Sequence, residues 1–122
     1  MNHLITEQII GAAIEVHRHL GPGLLESTYE RCLAREFDIR QLLYERQKAC
    51  SVIYKGFLVE EGYRIDFLVA NQIIVEIKSV DTLTKVHEAQ IITYLRLLEK
   101  KHGLLLNFNA SLLKSGIKRY SL

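Results

Sequence analysis

The sequence predicts a small α/β sandwich, a mixed sheet with helices on both sides, in the order α-α-β-β-β-α-β. Three features predict it. Apolar residues recur at helical spacing through the N-terminal third. The pattern then changes to strict alternation in "YRIDFLVANQIIVEIKSV". Last, a helical stretch opening at Thr84 leads into the apolar run "LLLNF" at residues 104–108. Strand, crossover helix and buried strand in succession are the pattern of a parallel pair with a right-handed connection.

Each element has its own signals. Ile5, Ile9, Ala12, Val16 and Leu20 share one helical face, Thr6 is a candidate cap, and Gly21-Pro22-Gly23 ends the helix. A second helix is expected over residues 24–40, with Leu25, Tyr29, Cys32, Leu33 and Phe37 as its apolar stripe. Residues 43–54 turn to strand character. Lys55-Gly56 marks a turn, the next strand opens at Phe57, and Gly62 marks a bulge or kink ahead of Tyr63. The alternating hairpin follows. Thr84 caps a helix to Lys101, whose buried stripe is Ile91, Tyr94, Leu95 and Leu98. Lys100, Lys101 and His102 suit the negative end of its dipole, and Gly103 stops it. The tail, residues 112–122, carries Lys114, Lys118, Arg119 and Tyr120 and receives no element.

The chemistry lies in the hairpin. Charged residues are depleted in strands and rarely buried unpaired, yet Arg64, Asp66, Glu76 and Lys78 all fall here. By period two, Ile65, Phe67 and Val69 face one side and Arg64, Asp66 and Leu68 the other. Ile73, Val75 and Ile77 likewise oppose Ile74, Glu76 and Lys78. Matching the apolar faces sets Ile65 near Ile77 and Phe67 near Val75, around a three-residue turn, Ala70-Asn71-Gln72. The same register puts Asp66 opposite Glu76, and Lys78 beside Arg64. Carboxylates at cross-strand distance repel unless a cation compensates them. The pattern therefore predicts a hard divalent cation, magnesium or manganese, held by Asp66, Glu76 and the free backbone carbonyl of Ile77. Lys78, on the same face, is placed to hold the attacking water or to neutralise developing negative charge. Two acids and a lysine converging on a sheet face are a layout for phosphodiester hydrolysis.

Composition sets the bounds. A chain of 122 residues, 48% of them apolar, can bury a core, and its length predicts one domain spanning residues 1–122. A formal charge of +2 and a pI near 8.6 are mildly basic and do not by themselves announce nucleic acid. Cys32 and Cys50 lack CxxC or zinc spacing and read as reduced thiols packed in an intracellular protein. "MNHLITEQII" is not a signal peptide, and no window reaches transmembrane length, so a cytoplasmic protein with no membrane partner is expected.

At these residues a resemblance enters. Asp66 followed by Glu76-Ile77-Lys78 resembles the D…(D/E)xK signature of the PD-(D/E)XK nuclease superfamily. Its restriction-endonuclease-like core, α-β-β-β-α-β, matches the order read above with an extra N-terminal helix; Ile65 stands where the superfamily often has proline. Gly23-Leu24-Leu25-Glu26-Ser27-Thr28-Tyr29 fits the GxxExxY motif of a small bacterial and archaeal family within that superfamily. "AIEVHRHLGPGLLESTYE", "YKG", "YRIDFLV", "VHEAQIITYL" and "LLLNFNASLLKSGIKR" resemble that family over nearly the whole chain. The resemblance implies a nuclease dependent on Mg²⁺ or Mn²⁺, with nucleic acid as substrate, DNA ahead of RNA. It implies that Glu26 approaches the metal, directly or through water. It also matches Gln90 and Tyr94 to a QxxxY motif on the crossover helix, on one face and within reach of the site. The candidate catalytic residues are thus Glu26, Asp66, Glu76, Lys78 and Gln90. The candidate metal ligands are Asp66, Glu76, Glu26 and the Ile77 carbonyl, and the candidate substrate contacts are Gln90, Tyr94, Lys118 and Arg119.

Plainer readings stand beside these. Arg64 reads as an ion-pair partner of the carboxylates, Tyr29 and Tyr94 as core residues before functional ones, and His87 as a helix N-terminal residue. His17 and His19 read as serving the end of the first helix, and Glu45, Glu60 and Glu61 as solvated strand edges. The basic tail is a phosphate contact, a dimer contact or a solvated end. Two functions follow: a metal-dependent nuclease, alone or within a homodimer or larger complex, and a non-catalytic nucleic-acid- or protein-binding module that keeps the fold.

Overall fold

The computed structural model describes residues 3–122; Met1 and Asn2, the start of the segment read above for a signal, lie outside the described residues. Its elements are α1 (His3–Leu20), α2 (Glu26–Ile39), β1 (Tyr44–Ala49), β2 (Val52–Tyr54), β3 (Phe57–Val59), β4 (Arg64–Val69), β5 (Ile73–Lys78), α3 (Lys85–Leu97), β6 (His102–Asn107), a 3₁₀ turn (Leu113–Gly116) and β7 (Ile117–Ser121). A five-stranded mixed sheet runs β1-β4-β5-β6-β7. β5 and β6 are parallel, joined by α3, and the other pairs are antiparallel.

The alternating run becomes the centre of this sheet. β4 and β5 pair through Phe67↔Val75, Leu68↔Ile74 and Val69↔Ile73, the register that the apolar faces demand. Phe67, Val69, Ile73, Val75 and Ile77 pack with Leu104 and Leu106 against Ile9, Val16, Leu33 and Phe37 of α1 and α2. On the opposite face Leu68, Ile74 and Leu105 meet Ile91, Tyr94 and Leu95 of α3. Each buried Ile, Leu or Phe contributes about 1.5–3 kcal/mol, so these two clusters fix where α2 and α3 stand over the sheet. Gly103 lies in β6 and does not stop α3. It lets that helix approach, since a Cβ there would stand 2.9 Å from Ile91 Cδ1. α3 ends earlier than expected, at Leu97. Glu99 takes a left-handed conformation (φ 56°), and the Lys100 N–H returns to the Leu95 carbonyl.

Several expectations are corrected. The strands expected over 43–54 and from Phe57 onward each break in two. β2 and β3 pair only with one another, as a hairpin turned at Lys55-Gly56 and set off from the main sheet. The break falls where Cys50 turns inward, its N–H donating to the Tyr63 carbonyl, and where Gly62 adopts φ 70°. The tail is β7, an edge strand on β6. Its pattern of two half-buried residues among exposed ones is too weak to read as a strand. Thr6 sits buried inside α1 and does not cap it. Leu20 and Leu25 are exposed and contribute nothing to the core. His17 serves the chain after β6 and not its own helix, through an Nε2 contact of 2.8 Å to the Ala110 carbonyl.

The return from β6 into β7 depends on Gly116, where a Cβ would meet the Asn107 carbonyl oxygen at 2.5 Å and Ala110 Cβ at 3.1 Å. Gly116→Ala is expected to lower stability by about 1–3 kcal/mol, seen as a lower urea midpoint at unchanged m-value. An unmoved midpoint would show that the turn relaxes freely.

Candidate active site

The ladder between β4 and β5 stops short of Asp66 and Glu76. Beyond Phe67↔Val75 the strands part, and the Ile77 N–H donates to Asp66 Oδ2 at 2.8 Å in place of a backbone carbonyl. A side chain has taken over a sheet hydrogen bond. On the other strand edge, the Phe108 N–H donates to the Lys78 carbonyl at 2.9 Å. Since N–H and C=O of one strand residue share an edge, the Ile77 carbonyl faces the gap that Asp66 opens.

The opposite flank of β4 is distorted as well. Gln47 lies across from Asp66 in the β1–β4 register with a left-handed backbone (φ 55°). Its Nε2 donates to Asp66 Oδ1 at 3.3 Å and to Glu30 Oε1 at 2.7 Å. Glu30, buried on α2, also takes an ion pair from Arg46 Nε at 2.6 Å. Alternation slips here: Ile65 packs with Cys50, Leu68 and Ile74 on the α3 side, and not with Phe67 and Val69 as expected. Arg64 does not pair with the carboxylates. Its guanidinium donates to the Gln47 carbonyl at 3.0 Å, and it is Arg46 that reaches an acid of this cluster, Glu30.

Glu76 is almost fully buried, 4% exposed, beside Cys50 and Tyr94. Burial first, and the Asp66 charge second, push its carboxyl up to about 9, with Lys78 pulling the other way. Glu76 therefore carries a proton near neutrality and shares a hydrogen bond with Asp66. Burial also raises Glu30, against the Arg46 bridge, and the Asp66 charge adds to the rise. Three acids press on one another where α2, β4 and β5 meet.

Lys78 turns to α3, its Nζ donating to Gln90 Oε1 at 3.1 Å. Gln90 Nε2 donates in turn to the Tyr94 hydroxyl at 3.3 Å. Glu26, at the start of α2, accepts from the Ser79 N–H at 3.1 Å, so it grips the residue after Lys78. Buried Asn107 steadies the same exit, its Oδ1 accepting from Val80 N–H and its Nδ2 donating to the Val80 carbonyl. Tyr29 is core: it stacks on Phe108 with ring centroids 4.6 Å apart and donates to the Gly21 carbonyl, tying the Gly-Pro-Gly loop to α2. His87 accepts from the Thr84 N–H at 3.0 Å and closes the start of α3.

Asp66, Glu76, Lys78, Gln90, Tyr94 and Glu26 thus gather around one end of β5. Lys118 and Arg119 do not join them; they lie on β7, with β6 between that strand and β5. The sequence reading missed Glu30, Gln47 and Arg46. Glu30 had a signal, four residues after Glu26 on the same helix face. Gln47 had none, because its importance lies in a backbone conformation.

A profile of the PD-(D/E)XK nuclease superfamily matches residues 3–120. The chain belongs to this superfamily. No curated protein and no solved structure gives a significant match. Members of the PD-(D/E)XK superfamily are generally nucleases and typically use divalent metals. Among the described residues, no helix is long and apolar enough to cross a membrane.

The residues present fit such an ion sparingly. Among the described residues no three His, Cys, Asp or Glu side chains form a ready-made cage. The Asp66 and Glu76 carboxyl groups and the Ile77 carbonyl do meet at one gap, and a bound cation would displace the Glu76 proton. Magnesium sites ordinarily draw no more from the protein, completing the shell with water and substrate phosphate.

The raised Glu76 carboxyl has a stability consequence. A carboxyl whose folded pKa is raised contributes full stability below its unfolded pKa and loses it as pH rises towards the folded value. The metal-free protein should therefore become less stable between about pH 4.5 and pH 9. Glu76→Gln keeps the neutral shape and a donor towards Asp66, so it should flatten this fall and raise the melting temperature at pH 8. An equally steep fall in the variant would contradict the assignment. Asp66→Asn should not stabilise in the same way, because Asp66 accepts from Gln47 and from the Ile77 amide through different oxygens and an amide oxygen replaces only one of them.

Proposed function

We propose that residues 1–122 form a single nuclease domain of the GxxExxY family that hydrolyses phosphodiester bonds in nucleic acid, DNA ahead of RNA, with Mg²⁺ or Mn²⁺. The observation that carries this is buried Glu76 set against half-buried Asp66 at a break in the β4–β5 ladder, with Lys78 two residues further along the same strand. A structural role alone gives no reason to bury Glu76 beside a second acid, where it must keep its proton.

Asp66, Glu76 and the Ile77 carbonyl would hold the metal, with Glu26 approaching through water. The ion supplies Lewis acidity and charge neutralisation at the phosphoryl group. Lys78 sets a positive charge beside the scissile phosphate and orients the water that attacks it. Gln90 positions Lys78. The ammonium, which can only donate, takes the amide oxygen, and the amide nitrogen donates to the Tyr94 hydroxyl behind it. Glu26 and Asn107 hold residues 79–80 and so fix where the lysine leaves the strand. Lys118 and Arg119, exposed and adjacent on the edge strand, would offer one cation to each side of it for contact with substrate backbone away from the cleavage point. A non-catalytic binding module is the weaker reading, because such a module gains nothing from two opposed acids beside a polyanion.

The test uses labelled single-stranded, duplex and branched DNA, and RNA, in Mn²⁺ and in EDTA. Cleavage in Mn²⁺ that vanishes in EDTA is expected. Lys78→Ala should lower turnover by about 10²–10⁴-fold with metal affinity, read by calorimetry, unchanged, since a charged lysine offers no lone pair. Asp66→Asn should lose both. Binding without cleavage, identical in wild type and Lys78→Ala, would favour the binding module.

A further inference from the structure

A groove opens between the β2–β3 hairpin and α3, with a volume of about 430 Å³, within the ~300–1,000 Å³ range of small-ligand sites. Val52 and Val59 of the hairpin form one wall, Ala89 of α3 the other, and the half-exposed Tyr63 ring lines it too. Gln90 and Tyr94 also line it. Gln90 holds Lys78 and Tyr94 holds Gln90, so the groove and the proposed cleavage centre are continuous through Gln90.

That continuity narrows the occupant. The walls are apolar and unsuited to a phosphate. They suit a flat, weakly polar body, and Gln90 offers the polar edge such a body needs. A nucleobase is such a body, and one attached to the scissile phosphate must lie within a residue or two of Lys78. In a duplex both faces of a base are covered by stacking; only an unpaired base can present them to a protein wall. A protein side chain would fill the space but bring no phosphate to Lys78.

We propose that this groove takes one unpaired nucleobase next to the scissile phosphate, so that the protein acts on single-stranded or frayed nucleic acid and not on intact duplex. The proposal rests on the nuclease reading above and names its substrate class.

The test is binding of the full chain to oligonucleotides carrying 2-aminopurine, in EDTA so that neither metal nor cleavage is needed. A fluorescence change on binding is expected for the single strand and not for the same strand in a blunt duplex. Ala89→Leu fills the groove from an exposed position, and Tyr63→Ser removes its aromatic wall. Each should weaken single-strand binding about ten-fold, with melting temperature as the check on folding. In Mn²⁺, blunt duplex should be cut at least ten-fold more slowly than a frayed one. Equal cutting of both, or wild-type binding by both variants, overturns the inference and leaves the nuclease reading standing. Groove-dependent binding with no cleavage of any substrate contradicts the nuclease reading and supports base capture. A dimer seen by light scattering that Ala89→Leu dissociates, with no fluorescence response, assigns the groove to a second copy and overturns the inference.

Discussion

The candidate site depends on one substitution of hydrogen-bond partners: the Ile77 amide is held by the Asp66 carboxylate and not by a strand carbonyl. A continued ladder would close β4 on β5. The exchange keeps the amide satisfied, as a buried amide must be, while the strands separate. The gap leaves the Ile77 carbonyl facing the acids and brings Glu76 and Asp66 into contact. Gln47 supports the arrangement from the other side, its left-handed backbone aiming an amide at both Asp66 and Glu30.

Such a centre is costly, and the surrounding fold offsets the cost. A protonated buried glutamate and a second raised acid on α2 weaken the metal-free protein near neutrality. The apolar layers on the two sheet faces are large enough to carry this. They also do positional work. Leu33 and Phe37 seat α2 so that Glu26 and Glu30 arrive at the end of β5, and Ile91 and Leu95 seat α3 so that Gln90 and Tyr94 arrive from the other side. Lys78 lies between the two helices, gripped through its neighbour by one and through its ammonium by the other.

What was legible in the sequence was what periodicity encodes. The hairpin register, its three-residue turn and the buried parallel strand followed from where Phe67, Val75 and Leu104 had to point. Asp66, Glu76 and Lys78 stood out because charges in such strands are anomalous. The resemblance added Glu26 and Gln90, which no pattern on their own helices marks, and gave Tyr94 a role that its place in the apolar stripe did not suggest. The rest was hidden for physical reasons. The β2–β3 hairpin looked like strand extensions because Cys50 and Gly62 break the chain by conformation, not by composition. β7 was missed because its two half-buried residues, Ile117 and Tyr120, pack on opposite faces of the sheet, so no alternation marks it. Ile65 was put on the wrong face because strict alternation assumes a regular strand, and this one is irregular at the candidate site.

The most direct measurement of the central claim is a crystal structure grown with Mn²⁺ and phased for its anomalous signal. An anomalous peak between Asp66 and Glu76, within about 2.0–2.3 Å of a carboxylate oxygen of each and of the Ile77 carbonyl, is the predicted result. A fully loaded crystal with its manganese elsewhere, or with Asp66 and Glu76 still hydrogen-bonded to each other and no peak between them, would contradict it.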